Sequence, residues 1–391
     1  MKAGTLLICI ILASAPAWPQ SKTKKEFHPN KEVRHTMNTI SGTIRELGPY
    51  IASEQEFTKD KNKKQISKSL SDLTELFKNL KTHPIINTMG LSLNQTVMTE
   101  QLQQTVNLFN NDKRSQARAK FNAALNLCIG CHAQSPGQSL PKLFEDKDIA
   151  KMKLSGFDLA ELYFISRDYD KAMELYDQFL MKSKKSDDDE FIYKALEREL
   201  IYYVRIRKDF SLGKMQFDKY LSAKIFNEKI AEEVTGWRRA LAGKNLWEGF
   251  NPETTKEEQM LKFMKGLNAD EEGGPIFTVS NTSEVYDLNL STILMYYYNS
   301  HPETKQGAKI LYWLAILDKR VNDDLFFSLG DYYLLSCMEK YSKDPVAKDC
   351  YDAYEEDMAI NYITKEKSVF PPEIINRLNG LKKLINYTDA D

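Results

Sequence analysis

Apolar residues recur at helical spacing over residues 31–53. Gaps of four and three residues alternate along this stripe, which places its members on one face of an α-helix. The stripe consists of Val33, Met37, Ile40, Ile44, Leu47 and Ile51. A second stripe with the same spacing ends before His83-Pro84, where proline stops a helix. Its members are Ile66, Leu70, Leu73, Phe77 and Leu80.

Two further helices are predicted before residue 135. The third is more polar and carries Val97 or Met98, Leu102, Thr105 and Phe109. The fourth follows the break at Asn110-Asn111-Asp112 and carries Ala117, Phe121, Leu125 and Cys128. Four helices with fairly short connections indicate an antiparallel four-helix bundle.

The pattern changes after Ser135-Pro136-Gly137, which we interpret as the start of a linker. One helical hairpin follows with the residue spacing of a tetratricopeptide repeat: Leu159, Ala160, Tyr163, Tyr169, Ala172, Tyr176 and Phe179. Weaker copies lie at 210–220, 308–315 and 347–354. Such hairpins stack and expose a concave surface that normally holds a peptide or protein. We therefore predict an all-α protein, with a four-helix bundle followed by an α-solenoid of helical hairpins.

Composition and charge agree with two soluble domains. The chain has 391 residues, of which 42% are hydrophobic and 28% charged, with a formal net charge of −1. This composition excludes a collagen-like or wholly disordered chain, and no global nucleic-acid footprint is present. Residues 18–145 contain 18 Lys and Arg against 11 Asp and Glu, whereas residues 146–391 contain 35 against 44. The opposite charges of the halves suit steering between partners, or are ordinary variation of solvated surfaces.

The first residues have the features of a secretory signal peptide. Lys2 precedes a short apolar run, and Ala15-Pro16-Ala17 is a cleavage site of the small-x-small type. The alternative is an uncleaved signal anchor. The signal peptide predicts a periplasmic or otherwise exported protein. No segment reaches the roughly 20 apolar residues of a transmembrane helix, so no transmembrane segment is expected. In such a compartment disulfides persist.

The strongest motif is Cys128-Ile129-Gly130-Cys131-His132, near the end of the fourth helix. C-x-x-C-H is the attachment sequence of c-type haem. Its spacing puts two thiols on one helix face, where they can add to the haem vinyl groups, with the imidazole beneath the iron. A thioredoxin-type site needs a helix N-terminus, and a structural zinc site needs a second pair of ligands, so both alternatives are disfavoured.

Four helices ending in C-x-x-C-H resemble the class II c-type cytochromes, the cytochrome c-prime group, over about residues 30–135. The segment Arg34-His35-Thr36-Met37 also resembles their low-spin members, in which a methionine of the first helix is the sixth iron ligand. The resemblance implies one covalent haem, with Cys128 and Cys131 as thioether anchors, His132 as proximal ligand and Met37 as distal ligand. One departure is that Ala133-Gln134-Ser135-Pro136-Gly137 ends the helix directly after the histidine.

The sixth iron site has alternatives. Met37 lies on an apolar stripe, where methionine is usually core filler. His35 points away from that stripe and His83 closes the second helix, so both are interpreted as surface or capping histidines. If none of them binds iron, the iron is five-coordinate and open to a diatomic gas.

Cys337 and Cys350 flank Asp344-Pro345, which predicts a turn between two helices of one hairpin. In an exported protein this placement predicts a disulfide, the alternative being two separately buried thiols.

We divide the chain into a signal peptide (1–17), an N-terminal arm (18–30), a haem domain (31–135), a linker (136–147) and a repeat domain (148–391). The preferred hypothesis is an exported electron-transfer protein that uses its repeats to dock a protein or peptide and meets a redox partner, possibly an acidic one. The alternatives are a five-coordinate haem sensor or gas-binding protein, and a scaffold with a structural haem. No catalytic triad, phosphate loop or zinc-protease motif occurs, so an enzyme is not expected.

Overall fold

The computed structural model describes residues 31–81, 92–132, 143–152, 154, 156–184, 189–265, 281–321, 329–363 and 369–387. These residues form helices and their connections without a strand, which confirms the all-α prediction. The predicted signal peptide, the arm and His83 lie outside the described residues. No helix in the described part combines the length and apolarity needed to cross a membrane.

The described residues of the first half form four long α-helices and one short one. They are α1 (Lys31–Ala52), α2 (Glu54–Thr58), α3 (Lys63–Lys81), α4 (Ser92–Asn110) and α5 (Arg114–His132). All predicted stripe positions of α1 and α3 are buried except Met37, which is half-buried. The four stripes form one hydrophobic core, completed by Phe57 of α2, whose ring meets Phe109 edge-on.

Hydrogen bonds between helix ends establish the directions of these helices. Tyr50, near the end of α1, donates to Gln65 near the start of α3 at 3.0 Å. Ser67 at the start of α3 donates to Asn110 at the end of α4, also at 3.0 Å. Arg118 near the start of α5 donates to the Ile51 carbonyl oxygen at the end of α1. Each of these pairs of helices is therefore antiparallel.

The second half is a series of helices packed on their neighbours along the chain. They are α6 (Asp146–Lys151), α7 (Gly156–Ile165), α8 (Tyr169–Lys182), α9 (Asp189–Ile201), α10 (Phe210–Ala223), α11 (Glu228–Leu241), α12 (Glu257–Lys265), α13 (Asn281–Ser300), α14 (Gly307–Arg320), α15 (Gly330–Lys340), α16 (Val346–Tyr362) and α17 (Pro372–Leu384). One π-helical turn, Tyr202–Ile206, extends α9. The helices enclose two cores, one over α7–α11 and one over α12–α17.

The aromatic run Tyr296-Tyr297-Tyr298 belongs to the core of α12–α17, since all three side chains are buried. Tyr202 is buried and Tyr203 is half-buried in the preceding core. Four of these five tyrosines are therefore buried core residues.

The two halves are in contact at several places in the described part of the chain. Leu143 and Phe144, within the predicted linker, are buried in the first core. A β-carbon on Gly48 of α1 would lie 2.6 Å from the Phe144 ring, so glycine is needed for this close approach. Elsewhere, Gln101 of α4 donates to the Tyr332 hydroxyl of α15 at 3.5 Å.

Candidate haem site

The motif helix is continuous through its histidine. Helix α5 runs without a break from Arg114 to His132, so the backbone of Cys128, Cys131 and His132 follows one helix. Residues at positions i, i+3 and i+4 of a helix share one face. The side chains of Cys131 and His132 lie outside the described residues. The backbone therefore has the helical geometry that the C-x-x-C-H motif requires.

Met37 lies at the same end of the four helices as the motif. It precedes Ile51 by fourteen residues in α1, and His132 follows Arg118 by fourteen residues in the antiparallel α5. Because Arg118 hydrogen-bonds the Ile51 carbonyl oxygen and each residue advances 1.5 Å, both positions are about 21 Å along the axis from that contact. The half-buried Met37 side chain packs against the first core.

Two other histidines, His35 and His301, have described side chains. His35 is exposed on α1, in agreement with its interpretation as a surface histidine. His301 stacks on Tyr297 with ring centroids 4.3 Å apart, and its Nδ1 lies 3.2 Å from the Tyr297 carbonyl oxygen. Of the histidines whose side chains are described, neither lies in the first core.

Cys128 has a free thiol that packs against the first core. Burial raises the pKa of this thiol, and the positive charge of Arg167 opposes that rise. Burial also raises the pKa of Tyr169 to about 12, with Arg167 opposing the rise and Cys128 adding to it. Cys128, Arg167 and Tyr169 therefore form one electrostatic cluster between α5 and the second half.

Arg167 occupies the tight turn between α7 and α8. Its φ is +68°, the left-handed region that a residue with a β-carbon seldom adopts. Its N–H donates to the Phe164 carbonyl oxygen at 3.0 Å, and the next N–H, of Asp168, donates to that of Tyr163. These bonds close the turn and hold the conformation despite its cost.

A short chain of hydrogen bonds ties this turn to α1. The Leu143 N–H donates to the Ser166 carbonyl oxygen at 3.1 Å, directly before Arg167. The Leu143 carbonyl oxygen in turn accepts from Nε of Arg45 in α1 at 2.7 Å. The helix that carries Met37, the buried segment after the motif and the Arg167 turn are thus fixed to one another.

Arg167 could not be found from the sequence. Neither a lone arginine between two predicted helices nor its left-handed backbone has a distinctive sequence pattern, and its proximity to Cys128 depends on how the two halves pack. The surrounding residues Ser166 and Asp168 indicate a turn, but not its neighbours in space.

One described side chain of the motif, that of Cys128, could form a thioether bond to a haem. The cluster supplies an unpaired thiol on an apolar helix face, and Nε of Arg167 is buried without a hydrogen-bond partner among the described residues. Among the described residues, no group of three or more His, Cys, Asp or Glu side chains is arranged to hold a metal ion directly.

The second pair of cysteines is brought together. The Sγ atoms of Cys337 in α15 and Cys350 in α16 are 2.13 Å apart, which is disulfide-bonding distance. Both residues are fully buried in the core of α12–α17. Asp344 and Pro345 lie in the connection between these helices, as the sequence predicts.

Comparisons with family models, with curated proteins and with solved structures found no match for this chain.

Proposed function

We propose that the protein is an exported monohaem c-type cytochrome that transfers single electrons. Cys128 and Cys131 are the thioether anchors, His132 is the proximal iron ligand and Met37 the distal ligand. The observation that carries the proposal is the unbroken helix through C-x-x-C-H, with a free Cys128 thiol at the end of the four helices where Met37 also lies. In this proposal the four antiparallel helices form a haem-binding bundle of the cytochrome c-prime type.

The residues around the motif have distinct tasks. Bound haem supplies an iron that accepts and releases one electron. Cys128 and Cys131 prevent dissociation of the group, and the helix fixes the direction of the His132 imidazole. The apolar side chains that surround Cys128 exclude water from that side, and haem burial with a methionine ligand raises the reduction potential.

The second half serves as a docking domain in this proposal. Its stacked helices form the extended kind of surface that repeat proteins use to hold a protein or peptide. The positive balance of residues 18–145 favours an acidic redox partner at the haem domain. The proposal assigns no catalytic step to either half.

Covalent attachment is the first test. We expect the purified protein to keep its haem after denaturation and extraction with acidified organic solvent, and its intact mass to include one haem. The Cys128→Ala, Cys131→Ala double variant loses both thioether anchors, so its haem is extractable or absent. The matched control is the Cys337→Ala, Cys350→Ala double variant, which also lacks two cysteines but keeps covalent haem. Colour that leaves wild-type protein with the solvent contradicts the proposal.

The sixth ligand is the second test. Replacing Met37 by Leu keeps an apolar side chain of similar volume but removes the sulphur ligand. We expect a change from a low-spin to a high-spin spectrum, loss of the methionine-to-iron absorption band and rapid binding of carbon monoxide. Met98→Leu is the matched control, because Met98 is a buried methionine of α4 in the same core. A wild-type protein that is already high-spin and binds carbon monoxide favours the gas-sensor alternative.

A further inference from the structure

An open groove runs along helix α8, in the first hairpin of the second half. It has a volume of about 230 Å³ and is lined by Gly156, Leu175, Gln178, Phe179, Lys182 and Ser183. All of these residues except Gly156 belong to α8 or to its C-cap, and they recur at helical spacing. The groove is therefore one face of α8, bounded by the start of α7.

The chain has a glycine at this groove where the repeat pattern has a large aromatic residue. In the tetratricopeptide pattern a tryptophan precedes the first leucine by three residues and the small residue after it by four. Leu159 and Ala160 occupy those two places, which puts Gly156 at the tryptophan place. A β-carbon on Gly156 would meet no atom within 4 Å beyond its immediate chain neighbours, so the space there is open.

The next helix of the second half shows the same place filled. Phe191 of α9 precedes the buried Ala195 by four residues, as Gly156 precedes the buried Ala160. The Phe191 ring meets that of Phe157 in α7 edge-on, with the ring centroids 5.2 Å apart. An aromatic side chain at this place therefore covers the adjacent helix, and Gly156 leaves the equivalent place open.

The walls of the groove suit an aromatic side chain with an acidic neighbour. Phe179 supplies an apolar wall and is supported by Phe157, whose ring centroid lies 5.6 Å away. Aromatic rings gain free energy from edge-to-face contact beyond the area that they bury. Of the described residues that line the groove, Lys182 alone is charged, and it is exposed and forms no ion pair within the described part of the chain. A carboxylate beside an inserted ring would have its counter-charge there.

We propose that this groove docks the tryptophan side chain of an acidic partner segment, in the place that Gly156 leaves open. The inference rests on the docking role proposed for the second half, and it names the chemistry of the partner at one site. An aromatic anchor in a pocket with a polar rim is a common form of binding hot spot. The acidic flank agrees with the acidic redox partner that the positive balance of residues 18–145 favours.

The test fills the groove from two positions. Gly156→Trp supplies the aromatic side chain from this chain. Gly156→Ala is its matched control, because alanine bears the same backbone strain at a φ of +57° without filling the space. Gln178→Trp fills the groove from an exposed helical position of α8, in case the first variant does not fold. Lys182→Glu reverses the charge at the rim, and Lys229→Glu, exposed on α11, is its matched control.

The probe is the peptide acetyl-Asp-Trp-Asp-amide, and saturation-transfer NMR titrations with the full chain measure its dissociation constant. The comparison peptides carry Ala in place of Trp, or Lys in place of both Asp residues. We expect wild-type protein to bind the probe about tenfold more tightly than either comparison peptide. Gly156→Trp and Gln178→Trp weaken probe binding about tenfold, whereas Gly156→Ala does not. Lys182→Glu abolishes the preference for the acidic over the basic peptide, and Lys229→Glu keeps it.

The outcomes separate this inference from the proposed function. If wild-type protein does not prefer the tryptophan probe, or if the filled variants bind it as wild type does, the inference is overturned. Covalent haem in the attachment test is unaffected by that result, so the electron-transfer proposal is decided on its own. Sedimentation of the free protein tests the other occupant. A wild-type dimer that Gly156→Trp converts to a monomer would place a second copy in the groove and also overturn the inference.

Discussion

Helices α1–α5 enclose Leu, Ile, Val and Phe side chains with a few uncharged polar ones, whereas the helices after residue 143 also enclose ionised groups. All the charged side chains that are buried among the described residues lie in the second half. They are Glu197, Arg198, Glu199, Glu284, Asp287 and Arg320. The half with the strongest cofactor motif is therefore the one with the simpler core.

Partners within the same half account for much of this buried charge. Arg198 bonds Glu161 at 3.0 Å, Tyr220 donates to Glu199 at 2.6 Å, and Trp237 donates to Glu284 at 2.6 Å. A buried ion pair gains little net free energy, because desolvation offsets the attraction, but separating its members is costly. Perturbed pKa values in the second half thus reflect packing between hairpins. A perturbed pKa in this protein is therefore not by itself evidence of a functional site.

Breaking one of these pairs gives the largest expected effect. Glu161 accepts from Arg198 and Tyr176 and lies 3.5 Å from Lys194. We expect Glu161→Leu to lower the free energy of unfolding by about 3–5 kcal/mol, because Arg198 is left buried without its counter-charge. Urea unfolding followed by circular dichroism measures the loss.

Two companion variants make this prediction specific. The Glu161→Leu, Arg198→Met double variant removes both charges and is expected to recover most of the stability. Glu174→Leu, at an exposed position of α8, is expected to change it by less than about 0.5 kcal/mol. A double variant as unstable as the single one would show that the charges stabilise by attraction rather than by avoiding an unpaired ion.

A cross-link in the second half gives the next largest effect. Cys337 and Cys350 have Cα atoms 6.4 Å apart and are separated by 13 residues. We expect the Cys337→Ala, Cys350→Ala double variant to lose about 3 kcal/mol in urea unfolding, because closing such a loop restricts the unfolded chain.

Non-reducing peptide mapping is the direct check on that bond. A joined peptide containing both half-cystines is the expected product. Alkylation of both thiols in unreduced, unfolded protein would contradict the pairing. The same double variant keeps covalent haem in the attachment test above, which separates the two cysteine pairs by role.

The difference between the two halves also explains how much of the fold and of the candidate site could be predicted from the sequence. In the first half the apolar stripes alternate by four and three residues, so the helices and their buried faces follow from periodicity. Fairly short connections between the four helices leave few arrangements. The candidate ligands are local to one motif and one stripe, so their residues could be named without a structure.

Features that depend on contacts distant in sequence were missed. Leu143 and Phe144 follow a Ser-Pro-Gly segment, which indicates a linker, yet the apolar surface beside Gly48 buries them. The approach of Tyr332 to Gln101 joins residues 231 positions apart. In the second half, repeats with irregular spacing define hairpins but not their neighbours. Arg167 belongs to the same class, because its surroundings depend on how the two halves pack.

The last prediction concerns how the stability of the second half depends on pH. Burial raises the pKa of Glu199 to about 8, although a hydrogen bond from Tyr220 opposes the rise. A carboxyl whose folded pKa exceeds its unfolded value stabilises the fold when protonated, so its contribution is lost as pH rises from about 4.5 to 8. We expect the second half to lose about 3 kcal/mol between pH 5 and pH 8 from this group. Glu199→Gln removes that loss, and Glu232→Gln, exposed on α11, keeps it. Urea unfolding at both pH values measures this difference in the free energy of unfolding. If wild type and Glu199→Gln lose the same stability between pH 5 and pH 8, Glu199 does not cause the loss.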